Sequence, residues 1–429
     1  MKRAVVVGSG AGGAVAAREL QGRFRVTTIE AGSRYRRTTV SLPAMAALKR
    51  TGLLFGGRAF RLGYPAMRFH RVEDGMVLVR GIGPGGTTTM SAGNAKRADQ
   101  GLRAIGIDLD AEFEQVRREV GVTSDLRRFW RPATARLFDA CRALGLDPEP
   151  LPKMGDYRRC TNCGRCVLGC PTGAKWDSRR MLGQARARGA GRVKGWRVES
   201  VVIERGAATG VRARRGMTHR VFEADVVVLA AGGLGTPGIL ERSGIGCEPR
   251  LFVDPVLCVA ASLPGANQCR EVPMLFGVQR QHYLVAPYFD YLSYLLNPDW
   301  PGRAEDIFSV MVKLADEPAG RAGPHPPRKG LTGADRTRLD EAAELCTELL
   351  LRLGAGRSDV FLGTLNAGHP GGSLPLAAED ARTLHPARLP GNLYVADATL
   401  LPAALGNPPI LTIMALATRV SRAILEALG

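Results

Sequence analysis

The 429-residue sequence predicts an α/β fold organised on a parallel sheet, and three segments carry that prediction. Val5-Val6-Val7 runs directly into Gly8-Ser9-Gly10-Ala11-Gly12-Gly13, Val226 to Leu229 runs into Ala230-Ala231-Gly232-Gly233, and Asn392 to Asp397 precedes an amphipathic helix that begins near Leu411. A short β-branched run that ends in glycine and opens a helix is the pattern of a strand buried on both faces beneath its crossover helix.

Residues 3 to 31 read as strand, glycine turn, helix from Ala14 to Leu20 and a second strand from Val26 to Glu30, a βαβ unit in outline. Gly8, Gly10 and Gly13 have the G-x-G-x-x-G spacing. That spacing lets the backbone turn tightly, approach a pyrophosphate and seat it on a helix N-terminus. Glu30 ends the second strand, where a carboxylate can accept hydrogen bonds from ribose hydroxyls. Residues 32 to 75 show no strong periodicity and carry many arginines. The run from Arg80 to Asn94, containing Gly85, Gly86, Thr87 and Thr88, is too rich in glycine and hydroxyls for an ordinary helix or strand. It reads as a loop built to lie against something.

Helices are expected from Asp108 to Val120, Pro132 to Leu144, Ser178 to Gly189 and Gly333 to Leu353, and a hairpin from Trp196 to Glu204 and Ala208 to Arg214. The remainder of 250 to 365 mixes aromatic strand-like pieces. Its tyrosines and phenylalanines between 272 and 300 suit a core and, less often, an apolar pocket. The expected division is a discontinuous dinucleotide-binding domain (1–100, 176–248, 385–429), a helical segment with a cysteine-rich loop (101–175) and a substrate domain (249–384).

Hydrophobic residues make up 45% of the chain, enough for a large core and for two domains or one with insertions. No stretch supplies the ~20 uninterrupted apolar residues of a membrane span, and the first apolar run is a strand and not a leader. The expectation is a soluble, cytoplasmic protein. A net charge of +19 suits an anionic partner. The basic residues are spread thinly, without the basic helix or aromatic interleaving of a nucleic-acid reader, which leaves a solvated surface or an acidic electron-carrier protein.

Four of the nine cysteines, Cys160, Cys163, Cys166 and Cys170, form C-x2-C-x2-C-x3-C-P with Pro171. Three thiolates at that spacing can bind three irons of one 4Fe-4S cube. Cys170 or one of the scattered cysteines would be the fourth ligand. Zinc and unligated thiols stay open as alternatives.

Taken together, Gly8 to Gly13 with Glu30-Ala31-Gly32, the Gly85-Gly86-Thr87-Thr88 loop, Ala230 to Pro237 with Ser243-Gly244-Ile245-Gly246, and Asn392 to Ala398 ending in Thr412 to Ala417 resemble the glucose-methanol-choline (GMC) oxidoreductase family. The resemblance implies a Rossmann-like FAD-binding part assembled discontinuously, an α+β substrate part on an antiparallel sheet, and oxidation of a small-molecule alcohol. It implies that Asp397 and Ala398 also meet FAD. In that family a histidine in a His-Pro-x-Gly segment faces the flavin, and the match is His369 in Asn366-Ala367-Gly368-His369-Pro370-Gly371-Gly372. The family's second active-site residue falls on Pro408, so Asn407 either reaches the substrate through a shifted turn or His369 acts alone. Removing hydride from an alcohol carbon requires that the hydroxyl proton leave too, and imidazole is suited to take it. Electrons would pass singly through the cluster if it exists. Two rivals are an electron-transfer module and a reductase running in the opposite direction.

Overall fold

The computed structural model of the chain describes residues 1–33, 66–297, 300 and 302–429. Most of the arginine-bearing stretch from 32 to 75 lies outside them. Five strands form a parallel sheet in the order Leu393–Val395, Val226–Leu229, Arg3–Val7, Arg25–Glu30, Gly191–Lys194. The register places Val5 between Val227 and Thr27. Val6, Val227, Val228 and Leu229 are fully buried, as strands covered on both faces must be, and each buried aliphatic side chain contributes about 1.5–3 kcal/mol. The α/β prediction holds.

The Ala11–Leu20 helix packs against the C-terminal helix Ile410–Leu428. A Cβ at Gly12 would lie 3.6 Å from Ala417 Cβ of that helix and 1.6 Å from the Ala396 carbonyl oxygen, and one at Gly8, in the turn before the helix where φ is +101°, 2.2 Å from the carbonyl oxygen of Ala230. Helix Asp110–Val120 is tied to the same C-terminal helix through buried Glu112, which accepts from Arg419 Nε at 2.8 Å and from Arg422.

A second, mostly antiparallel sheet runs through the strands Met67–Arg71, Val77–Gly81, Asn366–Ala367, Val256–Ser262, Ile307–Leu314, Tyr283–Pro287, Phe276–Gln279 and Pro148–Pro150. Helix Gly333–Arg352 covers one of its faces with Leu339, Ala342, Cys346 and Leu349, all buried against Val259, Val310 and Val312. A capping box opens this helix: Thr332 Oγ1 accepts from Asp335 N, and Asp335 accepts from Thr332 N. The predicted hairpin is a three-stranded meander, Arg197–Glu204, Ala207–Arg215 and Thr218–Glu223. The third strand escaped the sequence reading because all but one of its residues is solvent-exposed, which leaves no apolar alternation to see. The edge strand Gly191–Lys194 hides for the same reason. Among the described residues no helix is long and apolar enough to cross a membrane.

Gly12→Ala should destabilise the chain by about 1–3 kcal/mol in denaturant unfolding, because the methyl meets rigid backbone and not a mobile side chain.

Candidate active site

A cavity of about 640 Å³ is lined from both sheets, within the usual size of a small-molecule or cofactor site. Its first end lies beyond the carboxyl ends of the parallel strands, where open α/β sheets bind ligands. There Gly8, Ser9, Gly10, Ala11 and Gly12 form the rim. Glu30 also lines it, accepting from Ser9 Oγ at 2.5 Å and from Gly32 N at 2.8 Å. Gly13 is not part of the lining. A Cβ there would meet Gly8 O at 2.3 Å, so Gly13 serves helix-to-strand packing.

Gly86, Thr87 and Thr88 line the cavity from the 3-10 turn Gly86–Met90, four residues after the strand Val77–Gly81, while Gly85 is not part of the lining. Thr88 Oγ1 donates to Gly85 O at 2.6 Å, and the ammonium of buried Lys175 donates to Thr88 O at 2.8 Å. Asp397 and Ala398 line the wall opposite in sequence. Asp397 accepts from Gly232 N, Thr236 Oγ1 and Thr399 N at 2.6–2.9 Å. Its carboxylate locks the turns after two adjacent strands, and burial pushes its proton affinity up.

These residues fit FAD. No atom lies within 4 Å of the position a Gly10 Cβ would occupy, so the glycine leaves open space where a pyrophosphate can approach. The Ala11–Leu20 helix starts there with no side-chain cap, leaving its first amides to a ligand. Arg80 lines the same cavity, and its buried Nε has no hydrogen-bond partner among the described residues. Burial, with Arg197 and Arg68 nearby, pulls its guanidinium down to about 10, still a cation at neutral pH and suited to phosphate charge.

The other end is apolar, walled by Met67, Met90, Val167, Leu168, Val256 and Met311. Polar groups intrude at Asn94, Asp290, Lys313, Asn366 and His369. Of the aromatic stripe between 272 and 300, Tyr288 and Tyr291 line the cavity, whereas Phe276, Tyr283, Phe289 and Tyr294 are core.

His369 sits where the two ends meet. Its segment is pinned by the exchange of backbone hydrogen bonds between Gly371 and Phe252 and by Gly372 N to Ala398 O at 3.1 Å. A quarter of the side-chain surface opens onto the cavity while Nδ1 is buried, 3.6 Å from Asp254 Oδ2. The opening faces an enclosed space, so burial still governs. Burial first and Lys313 second push the imidazole down to about 4, against the pull of Asp254. It is therefore neutral across the ordinary pH range. Asn407 is placed otherwise: its Nδ2 donates to Gln279 Oε1 at 3.0 Å and to Leu405 O, and Pro408 and Pro409 occupy the cavity wall in its stead.

The expected cluster finds no support: among the described residues no three or more histidine, cysteine or carboxylate side chains group as a metal site, Cys160, Cys163, Cys166 and Cys170 included. All four are free thiols. The loop is held by protein contacts: Asn162 donates to Phe129 O at 2.8 Å and accepts from Val272 N at 2.9 Å. Desolvation pushes the thiol of buried Cys166 up to about 12, whereas Cys170, against desolvation, is held below its usual range by backbone and Thr172 hydrogen bonds. What the loop contributes is cavity wall, through Val167 and Leu168.

Sequence reasoning missed Asp254, Lys313 and Asp290. Lys313 left one visible sign, a single charged residue in the mostly apolar strand Ile307–Leu314.

A parallel sheet with a glycine cradle at its carboxyl edge is joined to an antiparallel sheet that walls an apolar chamber. The sequence profile of GMC oxidoreductases matches residues 4–263, and the chain belongs to the GMC oxidoreductase family. It is 36% identical over 286 residues to an uncharacterised GMC-type oxidoreductase of Mycobacterium tuberculosis, covering 61% of this chain and 42% of that relative. The chain thus spans about two fifths of the length of that relative. An uncharacterised protein of Methanocaldococcus jannaschii is 26% identical over 437 residues, 98% of this chain and 99% of its own length. A long-chain-alcohol oxidase of Arabidopsis thaliana is 25% identical over 521 residues, covering 99% of this chain and 66% of the relative. Among solved structures, pyridoxine 4-oxidase from Mesorbium loti superposes with a TM-score of 0.74 over 100% of both chains at 18% identity, a likeness of fold.

Gly10→Leu should fill the cradle without touching the core, so that the purified variant keeps the unfolding midpoint of the cofactor-free protein but retains little FAD by absorbance near the flavin bands.

Proposed function

We propose that the chain is an FAD-dependent oxidoreductase acting on the CH–OH group of a predominantly apolar alcohol, with His369 as the base. The observation that carries this reading is the position of a neutral imidazole on the cavity wall between the glycine cradle and the apolar chamber. The family membership and the alcohol-oxidase relative support the same chemistry.

Bound FAD supplies a two-electron acceptor for the carbon-bound hydrogen leaving as hydride. The chain supplies the remainder. His369, with Nδ1 buried against Asp254, presents its Nε2 edge to the cavity and takes the hydroxyl proton as the carbon–hydrogen bond breaks, leaving a carbonyl. The thioethers of Met67, Met90, Met274 and Met311 line the chamber and let an aliphatic or ring-bearing substrate settle without a fixed shape. The C-terminal helix begins at Ile410 with Pro408, Pro409 and Ile413 on the cavity wall, so the positive end of its dipole would favour an anionic group held there. Asn407 takes no part in this account, and no electron is routed through the cysteine loop.

His369→Ala should slow flavin reduction by roughly a hundredfold or more in anaerobic stopped-flow mixing with an aliphatic or benzylic alcohol that bleaches the parent protein. Unchanged kinetics would remove the base assignment. Failure of every alcohol in a broad panel to bleach the flavin would favour the electron-transfer or reductase rivals.

A further inference from the structure

Behind His369 lies a pair of ions that the chemistry above does not use. Lys313 is 1% and Asp254 0% exposed at the side chain, and Lys313 Nζ stands 3.3 Å from Asp254 Oδ2. The same carboxylate oxygen lies 3.6 Å from His369 Nδ1, and neither that oxygen nor that nitrogen makes a hydrogen bond elsewhere. The carboxylate oxygen, already paired with the Lys313 ammonium, and the buried ring nitrogen face each other at a distance that a small closure would bring to a hydrogen bond, since catalytic hydrogen bonds are often long until substrate is bound.

The carboxylate is itself firmly aimed. Asp254 adopts φ +50°, its Oδ1 accepts from Gly406 N at 3.0 Å, and its own amide donates to Asp316 Oδ1 at 2.7 Å. Asp316 is in turn paired with Lys329 at 2.8 Å. A left-handed backbone at aspartate, fixed by two hydrogen bonds into separate segments, is the type of local cost that persists where the surroundings over-determine it. Burying a carboxylate and an ammonium together costs several kcal/mol of desolvation per ion, so a buried pair is weak as a stability device.

We propose that Asp254 and Lys313 are positioning residues for the reaction: the Asp254 carboxylate holds His369 as the Nδ1–H tautomer with Nε2 free toward substrate, and the Lys313 ammonium balances that carboxylate so that the ring stays unprotonated until the hydroxyl proton arrives. The inference rests on the reading of His369 as base and adds the two groups that make it one. A carboxylate alone at this distance would draw a proton onto the ring before substrate bound. A lysine alone would leave the tautomer unset. Together they orient the imidazole with almost no net charge. The charges that act on the His369 ring are Lys313 and Asp254; Asp290 is held by Leu292 N and Ser293, and His70 lies beside Arg80.

The test uses the FAD-loaded protein. In the parent, flavin reduction should be flat above about pH 5 and fall toward an acidic limb near 4, because only the neutral ring accepts a proton and its affinity is held near that value. Lys313→Met should move that limb upward by about one pH unit or more, since it removes the like charge that disfavours the imidazolium and leaves Asp254 to favour it. Asp254→Asn should lower the limiting rate at least about tenfold, as loss of the tautomer anchor does in other histidine bases, without raising the limb. The double variant should return the limb toward the parent position while staying slow. Imidazole 15N NMR of the oxidised protein, assigned by loss of the His369 signal in His369→Ala, should show Nδ1 protonated in the parent and the same upward shift in Lys313→Met. If His369→Ala is slow but the Lys313→Met limb and the NMR titration are unmoved, the pair is structural and the proposal falls while the base assignment stands. If His369→Ala is as fast as the parent, the base assignment itself falls. Should Lys313→Met fail to retain FAD, the tautomer in Asp254→Asn decides: an unchanged Nδ1–H form overturns the proposal.

Discussion

Four segments far apart in sequence touch through their backbones, and the site exists because they do. A Cβ at Gly8 would meet Ala230 O, one at Gly12 would meet Ala396 O, and one at Gly233 would stand 2.0 Å from Pro370 O. No side chain of any size fits at these crossings, so the turns after three parallel strands and the segment bearing His369 are held within one backbone diameter of each other. Close packing of backbone leaves little freedom for adjustment. The imidazole position is thus inherited from glycine contacts made elsewhere. Asp397 reinforces the same junction by bridging Gly232, Thr236 and Thr399.

The second constraint is electrostatic. The antiparallel sheet buries two lysine–carboxylate pairs, Lys313 with Asp254 and Lys329 with Asp316, with all four side chains essentially hidden from solvent. Burial pushes Asp316 up to about 6 despite Lys329, while Lys313 and His369 hold Asp254 below its usual range against burial. The two carboxylates are linked through backbone, Asp254 N and Val253 N both donating to Asp316. Interior charges at this density are expensive, and their concentration beside one cavity-lining histidine is the pattern of a site whose protonation is being set.

What could be read from sequence was what the backbone dictates. Gly8 to Glu30 was legible because the phosphate-type turn needs glycine at fixed offsets whatever surrounds it, and the helices at 110–120, 132–143 and 333–352 were legible from apolar spacing, with ends misplaced by a residue or two. His369 became visible only through family resemblance, since nothing local to Gly368-His369-Pro370 announces an approach to Gly233. Lys313 was hidden because every residue from Ile307 to Leu314 is buried, which erases the alternation that would have assigned it a side. The cysteine run shows the limit of spacing, which reports which thiols could converge, whereas convergence depends on the loop; here a Cβ at Gly164 would lie 2.0 Å from Cys269 O, and Asn162 is clamped between Phe129 and Val272.

The apolar chamber follows from the same sheet. Val256 and Met311 face the cavity from neighbouring strands, while alternate residues of those strands, Val259, Val310 and Val312, pack beneath helix Gly333–Arg352. Strand alternation therefore gives one sheet two buried faces with different duties, a rigid one under the helix and an open one toward the cavity. Lys313 obeys the alternation, standing two residues from Met311 on the cavity face, so the strand that shapes the apolar wall also delivers the ammonium to Asp254. A change in the register of Ile307–Leu314 by one residue would bury Lys313 beneath the helix and turn Val312 toward the cavity. The pairing of Val256 with Lys313 and of Cys258 with Met311 fixes that register. Shape and charge at the far end of the cavity are accordingly set by one choice of strand alignment.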